Sequence, residues 1–148
     1  MTALPRVDSA RLMELLSVSL AAYYGDFTVA AAGENLTASQ GKTLTVLRRG
    51  PSSMSTLATT LTCDASNMTG IVDRLEKRGL VRREPSASDR RVKNVVLTAE
   101  GERVIDVIRS NMHHTLAGLD TLDEQEQHTL GVLLERVFTR QPAPAARP

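Results

Sequence analysis

Residues 57–91 read LATTLTCDASNMTGIVDRLEKRGLVRREPSASDRR, and the spacing of apolar residues within them decides the fold. Leu57, Ala58 and Leu61 form the inner face of a short helix that Ser55 can cap, and Thr62-Cys63-Asp64 turns the chain immediately afterwards. Asp64 is suited to cap a second helix, in which Met68, Ile71, Val72 and Leu75 fall at i, i+3, i+4 and i+7. That single apolar stripe ends before Gly79. At about 100° per residue the opposite side presents Ser66, Gly70, Asp73 and Lys77, flanked by Ala65, Asn67, Thr69 and Arg74. Most of these side chains can donate hydrogen bonds. Residues 80–84 and 92–97 are short and rich in Val, and the Pro85-Ser86-Ala87-Ser88-Asp89-Arg90-Arg91 run between them predicts a β-hairpin with a basic tip.

Working outward, Leu12, Leu15, Leu16, Leu20, Tyr23 and Phe27 recur at helical period, predicting a long amphipathic helix from Ser9 to about Ala31. Thr37 with Gln40 three residues on is a capping box for a helix that runs to about Arg49, where Gly50-Pro51-Ser52-Ser53 breaks it. Beyond the hairpin, Thr98 can cap a helix carrying Val104, Ile105, Ile108, Met112 and Leu116, with Glu100 and Glu102 placed for the helix dipole. Asp123 with Glu126 starts a last helix bearing Leu130, Leu133, Leu134, Val137 and Phe138. The expectation is a mainly α fold of about six helices with one β-hairpin, followed by a disordered Pro- and Ala-rich tail at 141–148.

With 148 residues, the chain is long enough for one domain, so surplus apolar faces imply a partner chain. Aromatic residues make up 3% and Trp is absent, which suits an aliphatic helical core. The single Cys63 precludes an internal disulfide; the chain starts without a signal-peptide pattern and contains no apolar run near the roughly 20 residues that span a bilayer. These features point to the cytoplasm, with no membrane association. Net charge is +1 but unevenly spread: residues 42–93 carry eleven basic and five acidic groups, whereas both flanks are net acidic. A positive centre is either a solvated face or the footprint of a polyanion-binding unit.

Two helices joined by a tight turn and followed by a basic hairpin are the order of a winged helix-turn-helix, whose second helix enters the major groove of DNA. The stretches LTASQ, the 57–91 run above and VVLTAEG resemble the MarR family of transcriptional regulators across nearly the whole chain. The resemblance implies one chain over 1–140, with helices at 9–35 and 99–140 forming a homodimer and a winged-helix lobe at 36–98. Expected partners are double-stranded palindromic operator DNA, a second copy of the chain and a small aromatic or anionic effector, with no cofactor and no catalysis. The expected DNA contacts are Ser53 and Ser55 at a helix start, Ala65, Ser66, Asn67, Thr69, Gly70 and Arg74 on the recognition helix, and Ser88, Asp89, Arg90, Arg91 and Lys93 in the wing. By the family pattern Asp89 braces the wing through an ion pair with Arg91, and Arg91 enters the minor groove; Arg90 and Lys93 suit phosphates.

Two positions depart from the family. Gly70 replaces an Arg that many members carry, removing a bidentate guanine contact and leaving base reading to Ser66, Asn67 and Thr69. Gly41 stands where a large aromatic is common, so either a pocket beside Tyr23 and Leu44 widens or a neighbouring side chain fills the gap. Cys63, just before a helix N-terminus, admits a redox-switch reading beside that of a small buried hydrophobe. His113, His114 and His128 lack metal-site spacing, and no nucleophile–base pair or phosphate loop suggests an enzyme. A winged-helix module that binds protein is the remaining alternative, and the basic wing argues against it.

Overall fold

Polar side chains fix where the helices begin in a computed structural model, which describes residues 7–139. The elements are α1 (Ser9–Gly33), α2 (Ala38–Leu47), β1 (Ser52–Ser53), α3 (Met54–Thr60), α4 (Ala65–Lys77), β2 (Val81–Pro85), β3 (Lys93–Leu97), α5 (Ala99–Ser110), α6 (His113–Leu119) and α7 (Glu124–Phe138). Asp8, Asp64 and Thr98 cap α1, α4 and α5 by accepting from the backbone N–H three residues on. Thr37 with Gln40 and Asp123 with Glu126 close reciprocal capping boxes on α2 and α7. At α3 the cap is Ser53 and not Ser55: Ser53 Oγ accepts from the Thr56 N–H at 3.2 Å, so the helix starts two residues early. Ser53 also belongs to β1, which pairs Ser52 with Val95 and Ser53 with Asn94. The hairpin β2–β3 is thereby extended to a three-stranded antiparallel sheet of order β1-β3-β2, a strand too short to carry its own sequence pattern.

Three helices end in the same motif, with a left-handed residue after the cap and two returning hydrogen bonds. At α4 the Leu80 N–H donates to Leu75 O and the Gly79 N–H to Glu76 O, with Gly79 at φ +70°. Asn35 (φ +56°) plays the same part after α1, as Leu36 and Asn35 donate to Ala31 and Ala32. After α3 the position falls to Thr62 at φ +52°, a costly conformation for a β-branched residue. This strained residue is the turn that leads into α4.

The described residues fall into two compact units, divided after Met112. In the first, one core gathers Phe27, Ala30 and Ala31 of α1, Leu44 and Leu47 of α2, Leu57 of α3, the Met68–Leu75 stripe of α4, Val81 and Val95 of the sheet, and Val104, Ile105 and Ile108 of α5. The expected helix through Leu116 is instead two, because Met112 turns into this core and Asn111 caps α5 in a non-helical conformation. Seven helices result among the described residues in place of about six. In the second unit, α6 and α7 meet at a corner closed by Gln127 Nε2, which donates to Leu119 O and Leu122 O at 3.2 Å each. Neither helix buries a side chain, and Leu133, Leu134, Val137 and Phe138 all lie exposed on α7.

Most of α1 is equally uncovered: only Phe27, Ala30 and Ala31 are buried among its 25 residues, while Leu12, Met13, Leu15, Val18 and Leu20 face outward. By length and composition alone this helix is apolar enough to cross a membrane, although Arg11, Glu14 and Asp26 interrupt it and its uninterrupted apolar runs stay short, as expected. The expected tail at 141–148 lies outside the described residues.

The approach of α5 to the end of α4 leaves no room at Gly101, where a Cβ would sit 2.2 Å from Leu80 O and 2.7 Å from Leu97 Cδ1. Gly101→Ala is expected to cost about 2–3 kcal/mol in urea unfolding through overpacking against backbone. A loss under about 0.5 kcal/mol would contradict that packing. Thr62→Gly is expected to do the opposite, adding up to about 1 kcal/mol by releasing the left-handed strain. A lowered denaturation midpoint would show that the turn is unstrained.

Candidate nucleic-acid interface

Helix α4 buries Met68, Ile71, Val72 and Leu75 to 4% exposure or less, and this forces the other side outward. Ala65, Ser66, Asn67, Thr69, Asp73, Arg74 and Lys77 are all exposed, and Gly70 is partly covered by the Arg74 guanidinium. Their hydrogen bonds separate the groups left free from those spent inside the helix. The Ser66 hydroxyl donates to Asp64 Oδ1 at 2.8 Å, and Thr69 Oγ1 donates to Ala65 O at 2.9 Å, so both protons are spent inside the helix. Hydrogen bonds from the Asn67 backbone N–H and the Ser66 hydroxyl hold the Asp64 carboxyl below its ordinary range. The Asn67 side-chain amide makes no hydrogen bond among the described residues, leaving both its donor and acceptor available.

Asp73 is not available. Arg83 on β2 donates through Nη2 to Asp73 Oδ1 at 2.6 Å and through Nη1 to Glu76, while the Arg83 N–H donates to Glu76 Oε1 at 3.1 Å. Burial opposes the Arg83 charge, but the hydrogen bonds to Asp73 and Glu76 outweigh it and raise the guanidinium pKa. This fork ties the first wing strand to the outer edge of α4. Sequence reading missed Arg83, although the alternation of β2 places it and Val81 on the same face.

At the wing tip, Asp89 Oδ1 accepts from the backbone N–H of Arg91 at 2.9 Å. Asp89 braces the turn through that amide; the expected ion pair with the Arg91 guanidinium is absent among the described residues, because a two-residue spacing favours the closer backbone donor. Ser86, nearly buried, meets Ser88 at 3.0 Å and stiffens the loop. Ser88, Arg90, Arg91 and Lys93 are exposed, as is Ser55 on α3. Of the basic residues in 42–93, Arg48, Arg82 and Arg83 are consumed by ion pairs with Asp106, Glu84 and the Asp73/Glu76 pair. Lys42, Arg49, Arg74, Lys77, Arg78, Arg90, Arg91 and Lys93 have no ion pair among the described residues.

A second feature is a cleft of about 290 Å³ lined by Tyr23, Tyr24 and Phe27 of α1, Lys42, Thr45, Val46 and Arg49 on and after α2, and Thr60 and Leu61 at the end of α3. Lys42 Nζ sits 4.0 Å from the centre of the Tyr24 ring, and Tyr23 stacks on Phe27 at 6.4 Å. Of the expected pocket residues, only Tyr23 lies on this cleft. Leu44 is fully buried, and the gap over Gly41 is filled by Phe27, whose ring lies 2.9 Å from where a Cβ would be. Lys42 and Arg49 are seven apart, which places both cations on one helical face. Cys63, half-buried, packs against the core.

The pattern that defines the MarR family matches residues 36–93, from the α2 cap through the wing. HTH-type transcriptional regulator PecS of Dickeya dadantii is 36% identical over 97 residues, covering 63% of this chain and 58% of PecS. HTH-type transcriptional repressor NicR of Pseudomonas putida is 39% identical over 83 residues, covering 55% of this chain and 52% of NicR. The chain thus spans just over half the length of these curated relatives. A solved probable transcriptional regulator from Pseudomonas aeruginosa is 30% identical and superposes with a TM-score of 0.60 over 90% of this chain and 100% of its own. The shared segment contains the capped α4, its apolar stripe and the wing, and the likeness of the solved structure extends over the flanking helices: the chain belongs to the MarR family of winged-helix transcriptional regulators.

Proposed function

We propose that this chain is a sequence-specific DNA-binding regulator, acting as a repressor, that grips a palindromic operator as a homodimer in the cytoplasm. One observation carries the reading: of the basic residues in 42–93 without an ion pair among the described residues, Arg74 and Lys77 lie on α4 and Arg90, Arg91 and Lys93 in the wing, while Lys42 and Arg49 line the separate cleft and Arg78 is held on backbone carbonyls. A helix for the major groove and a hairpin for the minor groove thus each present unpaired positive charge, joined by Arg83. Asn67, with a free amide, is suited to bidentate reading of adenine. The uncovered apolar faces of α1 and α7 support the homodimer, since monomers seldom leave surfaces of this kind to water. The repressor sign follows NicR, which carries that name.

A second element of the reading rests on the cleft. Aromatic faces from Tyr23, Tyr24 and Phe27 beside Lys42 and Arg49 suit a small aromatic anion. Its occupant would press on Thr60 and Leu61, which lead into the strained Thr62 turn before α4, a direct route to releasing DNA.

The two DNA-facing surfaces should fail differently. Arg91→Ala is expected to weaken binding to most operators and flatten the salt dependence, each lost phosphate neutralisation removing about 0.9 from the slope of log K against log salt. Asn67→Ala should leave that slope alone and cost about 1–3 kcal/mol of discrimination at one base pair, with Ser66→Ala costing less because its proton is already given to Asp64. Equal affinity and slope for the parent and all three variants, measured by fluorescence anisotropy over an operator set, would overturn the DNA reading. Removing residues 123–148 is expected to yield monomers by analytical ultracentrifugation and to abolish tight binding to the full palindrome. A folded, monomeric truncation with parental affinity would refute the dimer.

A further inference from the structure

A forked pair of hydrogen bonds joins the C-terminal end of α4 to the end of α1. Arg78, the C-cap of α4, donates through Nη1 to Asn35 O and through Nη2 to Glu34 O, both at 3.0 Å, across more than forty residues of sequence. The receiving carbonyls lie just past α1, where the returning hydrogen bonds of Asn35 and Leu36 satisfy Ala31 and Ala32 but leave Glu34 and Asn35 without a backbone donor. The negative end of the α1 dipole adds to the attraction for a guanidinium. Packing joins the two helices mainly through α2, on which both rest, with α1 also against α5 and α4 also against α3 and β2, whereas the Arg78 fork is a directional link between their ends. Arg83 and Arg78 thus hold the recognition helix at two places, the first to the wing and the second to the long helix whose uncovered face calls for a partner chain.

We infer that Arg78 is a positioning residue that sets the tilt of the recognition helix relative to α1, and thereby the half-site spacing that the dimer accepts. The inference rests on the homodimeric DNA-binding reading above. In a dimer built on α1, the separation of the two recognition helices follows from the angle each makes with its own α1, and a planar fork on two consecutive carbonyls resists rotation in a way that a point charge does not. Lysine can supply the charge but cannot bridge both oxygens in that plane.

The test measures affinity for a series of palindromes whose half-sites are moved apart or together in single base-pair steps, using the full chain, Arg78→Ala and Arg78→Lys at several salt concentrations. The parent should have a sharp optimum. Both variants should broaden it, binding the optimal palindrome about tenfold more weakly, the weight of one to two hydrogen bonds, while misspaced palindromes bind as well as or better than they bind the parent. Arg78→Lys should keep the parental salt slope, so the altered spacing profile cannot arise from a lost phosphate contact. A parental spacing optimum retained in Arg78→Lys, whether or not Arg78→Ala folds, overturns the inference while leaving the DNA-binding reading intact. Failure of the parent to prefer any spacing overturns the inference together with the dimeric reading.

Discussion

A thirteen-residue amphipathic helix can bury only one stripe, and everything proposed for this protein depends on which stripe α4 buries. Met68, Val72 and Leu75 are fully enclosed and Ile71 nearly so, each worth about 1.5–3 kcal/mol on removal from water. No rotation of the helix could bury another set of comparable size, since the remaining positions are small or charged. The exposed side is therefore set by the core, and its polar groups face outward without needing to be held there. The Asp64 cap adds a second constraint at the N-terminus, taking the Ser66 proton as well as the Asn67 amide hydrogen. Of the three polar side chains expected to read bases, the geometry leaves Asn67 as the one with an unspent donor.

The wing and α1 are fastened to that helix by arginines, and this changes what the local charge means. Residues 42–93 look uniformly basic in the sequence, yet Arg83 works against Asp73 and Glu76, Arg82 against Glu84, and Arg78 against backbone carbonyls. A basic segment is thus partly a scaffold and partly a contact surface. Outside this scaffold, Arg74, Lys77, Arg90, Arg91 and Lys93 lie on α4 and at the wing tip and Lys42 and Arg49 on the cleft, a more informative distribution than the segment's charge of +6.

What the sequence made legible was local. Caps at Thr37, Asp64, Thr98 and Asp123 follow from side-chain chemistry within three residues, and the α4 stripe follows from periodicity over two turns; both hold in the structure. What escaped depends on distant partners. β1 exists because Ser52 and Ser53 find Val95 and Asn94, the break after α5 exists because Met112 finds the core, and outward-facing Asp73 is drawn into an ion pair because Arg83 reaches it from another element. The wing brace was placed on the correct carboxylate but given the wrong donor, because a family pattern of Asp and Arg does not distinguish a guanidinium from a backbone amide. Of the two readings of Gly41, the structure has the filled gap: Phe27 occupies the space that Gly41 vacates, and the cleft lies to one side, against Tyr23, Tyr24, Lys42 and Arg49.

The central claim is that α4 and the wing tip of two copies meet DNA together. Hydroxyl-radical footprinting of the full chain on a duplex selected from a random pool tests it most directly. The account predicts a two-fold symmetric pattern, with a minor-groove protection from each wing flanking major-groove contacts about one helical turn, roughly 10 bp, apart. Selection that enriches no common sequence, or a bound duplex with uniform cleavage across both grooves, would contradict it.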